Sequence, residues 1–258
     1  MADLAKIVLL SVVQGLTEFL PISSSGHLGL AQHFLGFNPP GMLFEVTTHV
    51  GTLLAVVIYY WRRLLRIAGE LTQMRSAGQR EALYLVVATV PIGIIGVCFG
   101  GGLESLIDSP VFICAMLMAT GMILLSLIFA RPDRVELTLG RAIGIGVMQA
   151  LAILPGISRS GTTITAARHL GLAPRTAAEF SLLLMLPAIG GAMVLSIGDV
   201  MHEGLSELSV LELATAFVVS ALVGYAAIEL LVRSLTGGHF KWFGVYCLVV
   251  GFFGILLI

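Results

Sequence analysis

The sequence predicts an all-α integral membrane protein with six transmembrane helices, two re-entrant helical hairpins and an inverted-topology repeat. Three observations support this fold class: an apolar composition, a series of long uncharged segments, and two similar serine-rich turns. The chain has 258 residues, 57% of them hydrophobic and 11% charged, and its mean hydropathy is +1.01. Because a soluble domain carries about 25% charged residues, this composition excludes a protein whose whole surface faces water.

Six segments are predicted to cross the bilayer, because each approaches the roughly 20 mostly apolar residues that a transmembrane helix needs. Within them, His49 and Glu229 are the only histidine or charged residues. The six segments cover residues 46–61, 82–103, 109–130, 180–198, 213–232 and 242–258.

Residues 1–44 and 141–175 do not fit a simple crossing. Each contains an apolar run that is broken by Pro, Gly and a cluster of Ser. Non-helical backbone at membrane depth persists only where it is buried in protein or lines a wet cavity. Both segments are therefore predicted to be re-entrant hairpins.

The cationic residues predict how these hairpins enter the membrane. Lys and Arg concentrate in the connections on the cytoplasmic side of membrane proteins. The pattern here is consistent only if residues 1–44 begin and end outside while residues 141–175 begin and end inside. The cationic connections contain Arg62, Arg63, Arg66, Arg75 and Arg80; Arg131, Arg134 and Arg141; Arg168 and Arg175; and Arg233 and Lys241.

The halves 1–130 and 131–258 share short polar patterns at one fixed spacing. Each half is predicted to be a hairpin followed by three crossings, and because three is odd, the second half is upside down. Broken helices of such inverted repeats meet near the midplane of secondary transporters. A simpler alternative is that the Ser-Gly pairs only allow helices to pack closely. The matching patterns are Gln14-Gly-Leu with Gln149-Ala-Leu, and Ser23-Ser-Ser-Gly26 with Ser158-Arg-Ser-Gly161.

The first serine-rich turn predicts an anion pocket beside a carboxylate. Gln14 and Glu18 are four residues apart and share one helix face, and Pro21 disfavours continuation of that helix. The following serines can cap a second half-helix, whose free amides and positive dipole end attract an anion. His27 lies on the same side of that half-helix as Ser24.

The second turn repeats this device and adds Arg159. An arginine within a broken span costs several kcal/mol, and its planar fork suits bidentate phosphate binding. The alternative is a structural ion pair between Arg159 and Glu18. A carboxylate would repel an anion in a site built only for capture, so Glu18 favours chemistry or metal binding. The two clusters together predict a phosphate site with an acid-base group.

Four further acidic or basic side chains lie in or near the predicted spans. Glu45 and His49 share a helix face, and two positions remain open for them: beside the first cluster, or at the membrane interface. Glu179 and Glu229 are predicted to form local pairs with the arginines Arg175 and Arg233, which lie four residues from them.

At these residues the sequence resembles the undecaprenyl-diphosphate phosphatase family of bacterial inner membranes, also called the bacitracin-resistance protein family. The family pattern is a Glu/Gln-x-x-x-Glu pair leading into Pro-x-Ser-Ser-x-Gly-His, and later Pro-Gly-x-Ser-Arg-Ser-Gly. Both occur here, from Gln14 to His27 and from Pro155 to Gly161. The resemblance runs end to end. It implies hydrolysis of undecaprenyl diphosphate to the monophosphate, recycling of this carrier for peptidoglycan synthesis, bacitracin resistance, and a periplasm-facing site in the inner membrane.

The resemblance also implies which residues act. Our hypothesis for the mechanism is attack by Ser24 with Glu18 or His27 as the proton acceptor, and it leaves open attack by His27 or directly by water. Many family members have Glu at the position of Gln14, and since an amide cannot be a general base, Gln14 is given a positioning role. The implied catalytic residues are Glu18, Ser24, His27 and Arg159. The implied substrate-binding residues are Gln14, Ser23, Ser25, Gly26, Ser158, Ser160, Gly161 and Thr162.

The expected partners are a polyprenyl diphosphate lipid and the bilayer, a homodimer is left open, and no nucleic acid is expected. No cofactor is assigned, and a divalent cation (Mg²⁺ or Ca²⁺) bridging Glu18 and the diphosphate is left open. Two rival functions are considered. A transporter or flippase for an anionic lipid would share the inverted repeat. The type-2 phosphatidic acid phosphatases also contain Ser-Gly-His, but their other motifs are missing here.

Overall fold

The computed structural model describes residues 2–37, 42–73, 76–107, 109–130, 135–203 and 208–258, and within these ranges it contains helices and no strands. The predicted all-α fold is therefore confirmed. Arg75, Arg131 and Arg134, used above for orientation, lie outside the described residues. The helices are α1 (Ala2–Phe19), α2 (Ser24–Leu35), α3 (Leu43–Tyr59), α4 (Trp61–Glu70), α5 (Ala77–Ile107), α6 (Pro110–Leu125), α7 (Leu139–Ala150), α8 (Arg159–His169), α9 (Pro174–Glu203), α10 (Val210–Thr236) and α11 (Lys241–Leu257).

Within the described residues, four segments are long and apolar enough to cross a bilayer: α5, α9, α10, and α6 together with the 3₁₀ turn that extends it to Phe129. A fifth crossing results if α3 and α4, which meet at an angle of 76°, are counted as one bent span. At 17 residues, α11 is a shorter apolar helix. The chain is thus a multi-pass helical membrane protein, while the sixth crossing and the re-entrant nature of the two hairpins stay predictions.

The two serine-rich turns have the same local hydrogen bonds. Ser23 is the N-cap of α2 and accepts a bond from the Gly26 amide at 3.3 Å, while Ser158 is the N-cap of α8 and accepts from the Gly161 amide at 3.1 Å. In each turn the capping hydroxyl lies 3.3 Å from that of the serine two residues later. The sequence match therefore extends to the hydrogen bonds of the two caps, although φ is +72° at Ser23 and −72° at Ser158. The inverted relation of the halves stays a prediction.

Glycines allow the helices to approach closely around these hairpins. A Cβ on Gly51 of α3 would lie 2.5 Å from the Phe217 carbonyl of α10, and one on Gly146 of α7 would lie 2.4 Å from the Ala88 carbonyl of α5. The pair α6 and α11 crosses in the same way at Gly121, where a Cβ would lie 2.7 Å from a backbone carbonyl. Small residues of this kind let membrane helices pack backbone to backbone.

The second turn is attached to α6 and to the first turn by buried hydroxyls. Thr120 donates a hydrogen bond to the Gly156 carbonyl at 2.8 Å and accepts one from the Ser158 amide at 3.0 Å. Gly156 has a φ of +96°, which favours glycine, and its Cα side faces the α6 backbone. Ser160 donates to the Leu20 carbonyl at 3.2 Å. These bonds hold the two turns against each other in the interior.

Candidate active site

Glu18 is the centre of the polar cluster between the two turns, and its side chain is only 5% exposed. Ser24 donates a hydrogen bond to its Oε2 at 2.5 Å, and the Gln14 amide donates to the same oxygen at 3.1 Å. Arg159 donates from Nη2 to Oε1 at 2.6 Å, although the two residues are 141 positions apart in the chain. A buried carboxylate needs such partners, because an unpaired charge in this environment is costly.

Arg159 has one donor group that the protein leaves open. Its side chain is 13% exposed, and Nη1 is buried with no hydrogen-bond partner among the described protein atoms. The ion pair with Glu18, predicted as the structural alternative, is present, but it uses only one side of the guanidinium fork. Because a buried donor without a partner costs about 1–3 kcal/mol, the free side of Arg159 favours a site that is completed by an anionic ligand.

These side chains line a cavity of about 220 Å³ with one polar and one apolar side. The apolar side comes from α5 and α9, whose lining residues Ile92 and Ala188 follow prolines within the helices. The remaining apolar lining residues are Ala152, Ile157, Ile189 and Ala192. The polar side is formed by Thr17, Glu18, Ser23, Ser24, Ser25, His49, Ser158 and Arg159. Such a cavity matches a ligand with a charged head and an apolar tail.

His49 lines this cavity. The sequence had left two positions open for it, beside the first cluster or at the membrane interface. Its Nε2 lies 3.7 Å from Glu18 Oε2, and its side chain is 31% exposed. Its Nδ1 lies 2.8 Å from the Glu45 carbonyl. Since a carbonyl only accepts, Nδ1 carries a proton, and Nε2 is the ring nitrogen that faces the site.

His27 does not line the cavity. Its Nδ1 lies 2.9 Å from the Ser23 carbonyl, and its Nε2 lies 2.9 Å from the Tyr246 hydroxyl of α11. The two rings stack with their centroids 5.5 Å apart. Both ring nitrogens of His27 therefore already have hydrogen-bond partners outside the cavity. The acid-base role of His27 stays a prediction. Its stacking on Tyr246 had no counterpart in the sequence motifs.

The other predicted substrate-binding residues stabilise the turns instead of lining the cavity. The amides of Gly26 and Gly161 bond to the capping serines. Thr162 donates to the Ser158 carbonyl at 2.7 Å, and the hydroxyl of Ser160 is likewise bonded to backbone. The direct contacts with substrate that the sequence implied for these residues stay predictions.

The local pairs predicted for two glutamates are present at the arginine-rich end of the molecule. Arg175 donates to Glu179 at 3.0 Å, and Arg233 donates to Glu229 at 2.7 Å. Within the described residues, no group of three His, Cys, Asp or Glu side chains converges to hold a metal ion. The divalent cation that the sequence left open would take most of its ligands from the diphosphate itself.

The arrangement combines a hydroxyl, a carboxylate that accepts its proton, and donors for a developing negative charge. A serine within hydrogen-bond distance of a base is the pattern of an activated nucleophile. The first amides of α2 and α8 have no acceptor within their helices, and with Arg159 they can stabilise charge on a transferring group.

The sequence model for the family described as bacitracin resistance protein BacA matches residues 7–253, a range that includes every residue lining the cavity. The chain belongs to the BacA family. Its relatives within this family include proteins named undecaprenyl-diphosphatase from Desulfatibacillum aliphaticivorans, 39% identical over 95% of both chains, and from Rubrobacter xylanophilus, 40% identical over 95% of both chains. Another, from Rhodopirellula baltica, is 38% identical over 100% of this chain and 99% of its own.

Proposed function

We propose that this BacA-family chain hydrolyses undecaprenyl diphosphate to undecaprenyl phosphate and inorganic phosphate. The names of its relatives support this substrate and reaction. The observation that carries the proposal is the contact of Ser24 with one oxygen of Glu18 while Arg159 holds the other, in a cavity with an apolar wall.

In the proposed first step, Ser24 Oγ attacks the terminal phosphorus and transfers its proton to Glu18 Oε2. The bond between that phosphorus and the bridging oxygen breaks, and undecaprenyl phosphate leaves with the bridging oxygen. Arg159 Nη1 and the first amides of α2 and α8 stabilise the charge on the transferring phosphoryl group. The apolar residues of α5 and α9 contact the first part of the lipid chain.

In the proposed second step, water attacks the phosphoseryl group and His49 Nε2 accepts its proton. His49 and Ser24 both lie beside Glu18 Oε2, so a water near the phosphoryl group is within reach of the ring. The bond between phosphorus and Ser24 Oγ breaks, Glu18 returns its proton to Oγ, and His49 releases its proton to solvent as phosphate leaves. Gln14 is not a base in either step, because a side-chain amide is not basic in water. It donates a hydrogen bond to Glu18 and holds that carboxylate in place instead.

Phosphate release from undecaprenyl diphosphate by the purified protein in detergent tests the proposal. Ser24→Ala is expected to lower kcat about 10³-fold or more, as loss of a nucleophile does. Ser11→Ala is a matched control, because that buried hydroxyl bonds only to the Ile7 carbonyl of its own helix. Near-normal turnover by Ser24→Ala would exclude the serine route. Movement of the lipid between the leaflets of reconstituted vesicles, without phosphate release, would support the transporter alternative instead.

The two histidines can be separated in the same assay. His49→Gln is expected to leave a rapid first release of one undecaprenyl phosphate per enzyme and to slow the release of phosphate, because only the second step uses the ring. His27→Gln is expected to act through the stability of the first turn, since His27 bonds to the Ser23 carbonyl. If His27→Gln instead stops turnover in a stably folded protein while His49→Gln does not, the acid-base role belongs to His27.

In the cell we infer a role in recycling the lipid carrier for peptidoglycan synthesis, in the bacterial inner membrane with the cavity open to the periplasm. The family description supports an effect on bacitracin resistance, and overexpression should raise bacitracin tolerance only when the cavity residues are intact. Labelling of a cysteine introduced at Ala152 by a membrane-impermeant reagent tests the side of access. Cross-linking of the purified protein tests for a homodimer.

A further inference from the structure

A second cavity of about 440 Å³ lies at the bend between α3 and α4. We call it the elbow cavity, and it shares no lining residue with the candidate active site. It is at the arginine-rich end of the chain, which the positive-inside rule places in the cytoplasm. Its principal lining residues are Tyr59, Tyr60, Arg62, Arg63, Arg175 and Glu179.

The elbow cavity carries an excess of positive charge. Three arginines line it, against the single carboxylate of Glu179. Arg63 is paired with both Glu179 and Glu81, and Arg175 is paired with Glu179 at 3.0 Å. Arg62 forms no ion pair within the described part of the chain, and its guanidinium is available to a ligand. These pairs leave the cavity short of negative charge.

A neighbouring cavity of about 190 Å³ shows that this imbalance is not general at this end of the protein. It shares Arg63 with the elbow cavity, but its two arginines are matched by two glutamates. The second arginine there is Arg80, and the two glutamates are Glu81 and Glu136. An anion is therefore favoured in the elbow cavity and not in its neighbour.

The residues around the elbow cavity have the character of a membrane interface. Since α4 bends 76° away from α3 and its ten residues combine three arginines with apolar side chains, it has the character of a helix lying in the membrane interface. Trp61, at the start of α4, is 54% exposed, as is typical of tryptophan at the headgroup level. Ile58, one turn earlier in α3, is an apolar side chain that is 55% exposed.

We propose that the elbow cavity binds the headgroup of an anionic phospholipid from the cytoplasmic leaflet. Arg62 and Arg175 contact the phosphodiester, because a planar guanidinium fork matches phosphate oxygens. Ile58 and Trp61 contact the acyl chains beneath it. Basic pockets between transmembrane helices on the cytoplasmic side bind acidic headgroups in this way. The site is separate from the proposed phosphatase cavity and does not depend on that activity.

The test compares the binding of phosphatidylglycerol and phosphatidylcholine to the purified full-length protein by native mass spectrometry. Wild type is expected to retain phosphatidylglycerol preferentially. The double variant Arg62→Gln/Arg175→Gln is expected to bind phosphatidylglycerol at least about tenfold more weakly, since it removes the guanidinium hydrogen bonds to a charged headgroup. The control Arg66→Gln/Arg80→Gln removes the same net charge from two exposed arginines that do not line the elbow cavity, and should weaken binding less than the double variant does, because only the diffuse attraction of these charges is lost.

Three results would overturn the proposal. The first is an unchanged lipid preference in Arg62→Gln/Arg175→Gln, with its melting temperature in phosphatidylcholine equal to that of wild type. The second is an equal loss in the control, because the attraction would then come from diffuse surface charge. The third is displacement of the lipid by millimolar glycerol 1-phosphate, which would assign the cavity to a soluble phosphate. A failure of the proposed phosphatase is distinguishable from these results, because it would show as absent phosphate release by the wild type while the lipid preference of the elbow cavity persists.

Discussion

Replacement of Arg159 by lysine separates an arginine that serves a ligand from one that only neutralises Glu18. A lysine ammonium can keep the ion pair now made by Nη2 at 2.6 Å, but it cannot also place a second donor where Nη1 lies. A structural ion pair predicts normal activity in this variant. A phosphate-binding fork predicts a loss.

The expected size of that loss follows from one hydrogen bond to a charged group. Such a bond is worth about 1.5–3 kcal/mol, so Arg159→Lys should lower kcat/KM about 10- to 150-fold. Arg159→Ala removes both donors and should cost about 10²- to 10⁴-fold by the same reckoning. It also leaves Glu18 buried without its charge partner, so its melting temperature should fall, whereas that of Arg159→Lys should stay near wild type.

The assay is release of phosphate from undecaprenyl diphosphate in detergent, with the melting temperature of each variant measured in the same buffer. Arg66→Ala is the control, because Arg66 is 57% exposed and does not line the cavity. Activity of Arg159→Lys within about twofold of wild type, a difference smaller than 0.5 kcal/mol, would refute the proposed role of the fork.

The remaining predictions concern the helix contacts and turns that position the site. Gly146→Ala should destabilise the protein by about 1–3 kcal/mol, because its Cβ would lie 2.4 Å from the Ala88 carbonyl. Gly93→Ala should leave the stability unchanged, because no atom lies within 4 Å of the added Cβ. Thermal unfolding in detergent compares the two variants. Thr120→Val should lower the melting temperature together with phosphate release, because it leaves two buried backbone groups of the second turn without partners. Ser23→Gly should melt at a higher temperature than Ser23→Ala, because the φ of 72° at this position favours glycine. A lower melting temperature for the glycine variant would contradict that reading.

The helical fold and the convergence of the two turns could be anticipated from the sequence. Capping serines, a helix-ending proline and an arginine that breaks the charge pattern are local features, and opposite insertion of the hairpins predicted that Arg159 would approach Glu18. The structure brings them to 2.6 Å. What the residues do at that contact is still proposed.

The environments of the two histidines could not be predicted, because they depend on how one helix is rotated against another. The four-residue spacing put Glu45 and His49 on one face of α3 but did not say which neighbour that face meets. Likewise, Tyr246 reaches His27 across 219 residues from the last helix. The bend at Tyr60 was also missed. A cationic stretch predicted as a connection is the helix α4, whose amphipathic character appears only once its turn away from α3 is known.

The central claim is that Ser24 attacks a phosphoryl group held by Arg159. Denaturation of His49→Gln in SDS at neutral pH, during turnover of undecaprenyl diphosphate labelled in its terminal phosphate, tests it most directly, because phosphohistidine survives this quench as well as phosphoserine. Because the second step is slowed in this variant, the account predicts that fragmentation of the labelled peptide places the phosphate on Ser24, and that no label remains after Arg159→Ala is added. Label on His27, or continued phosphate release with no labelled peptide, would contradict it.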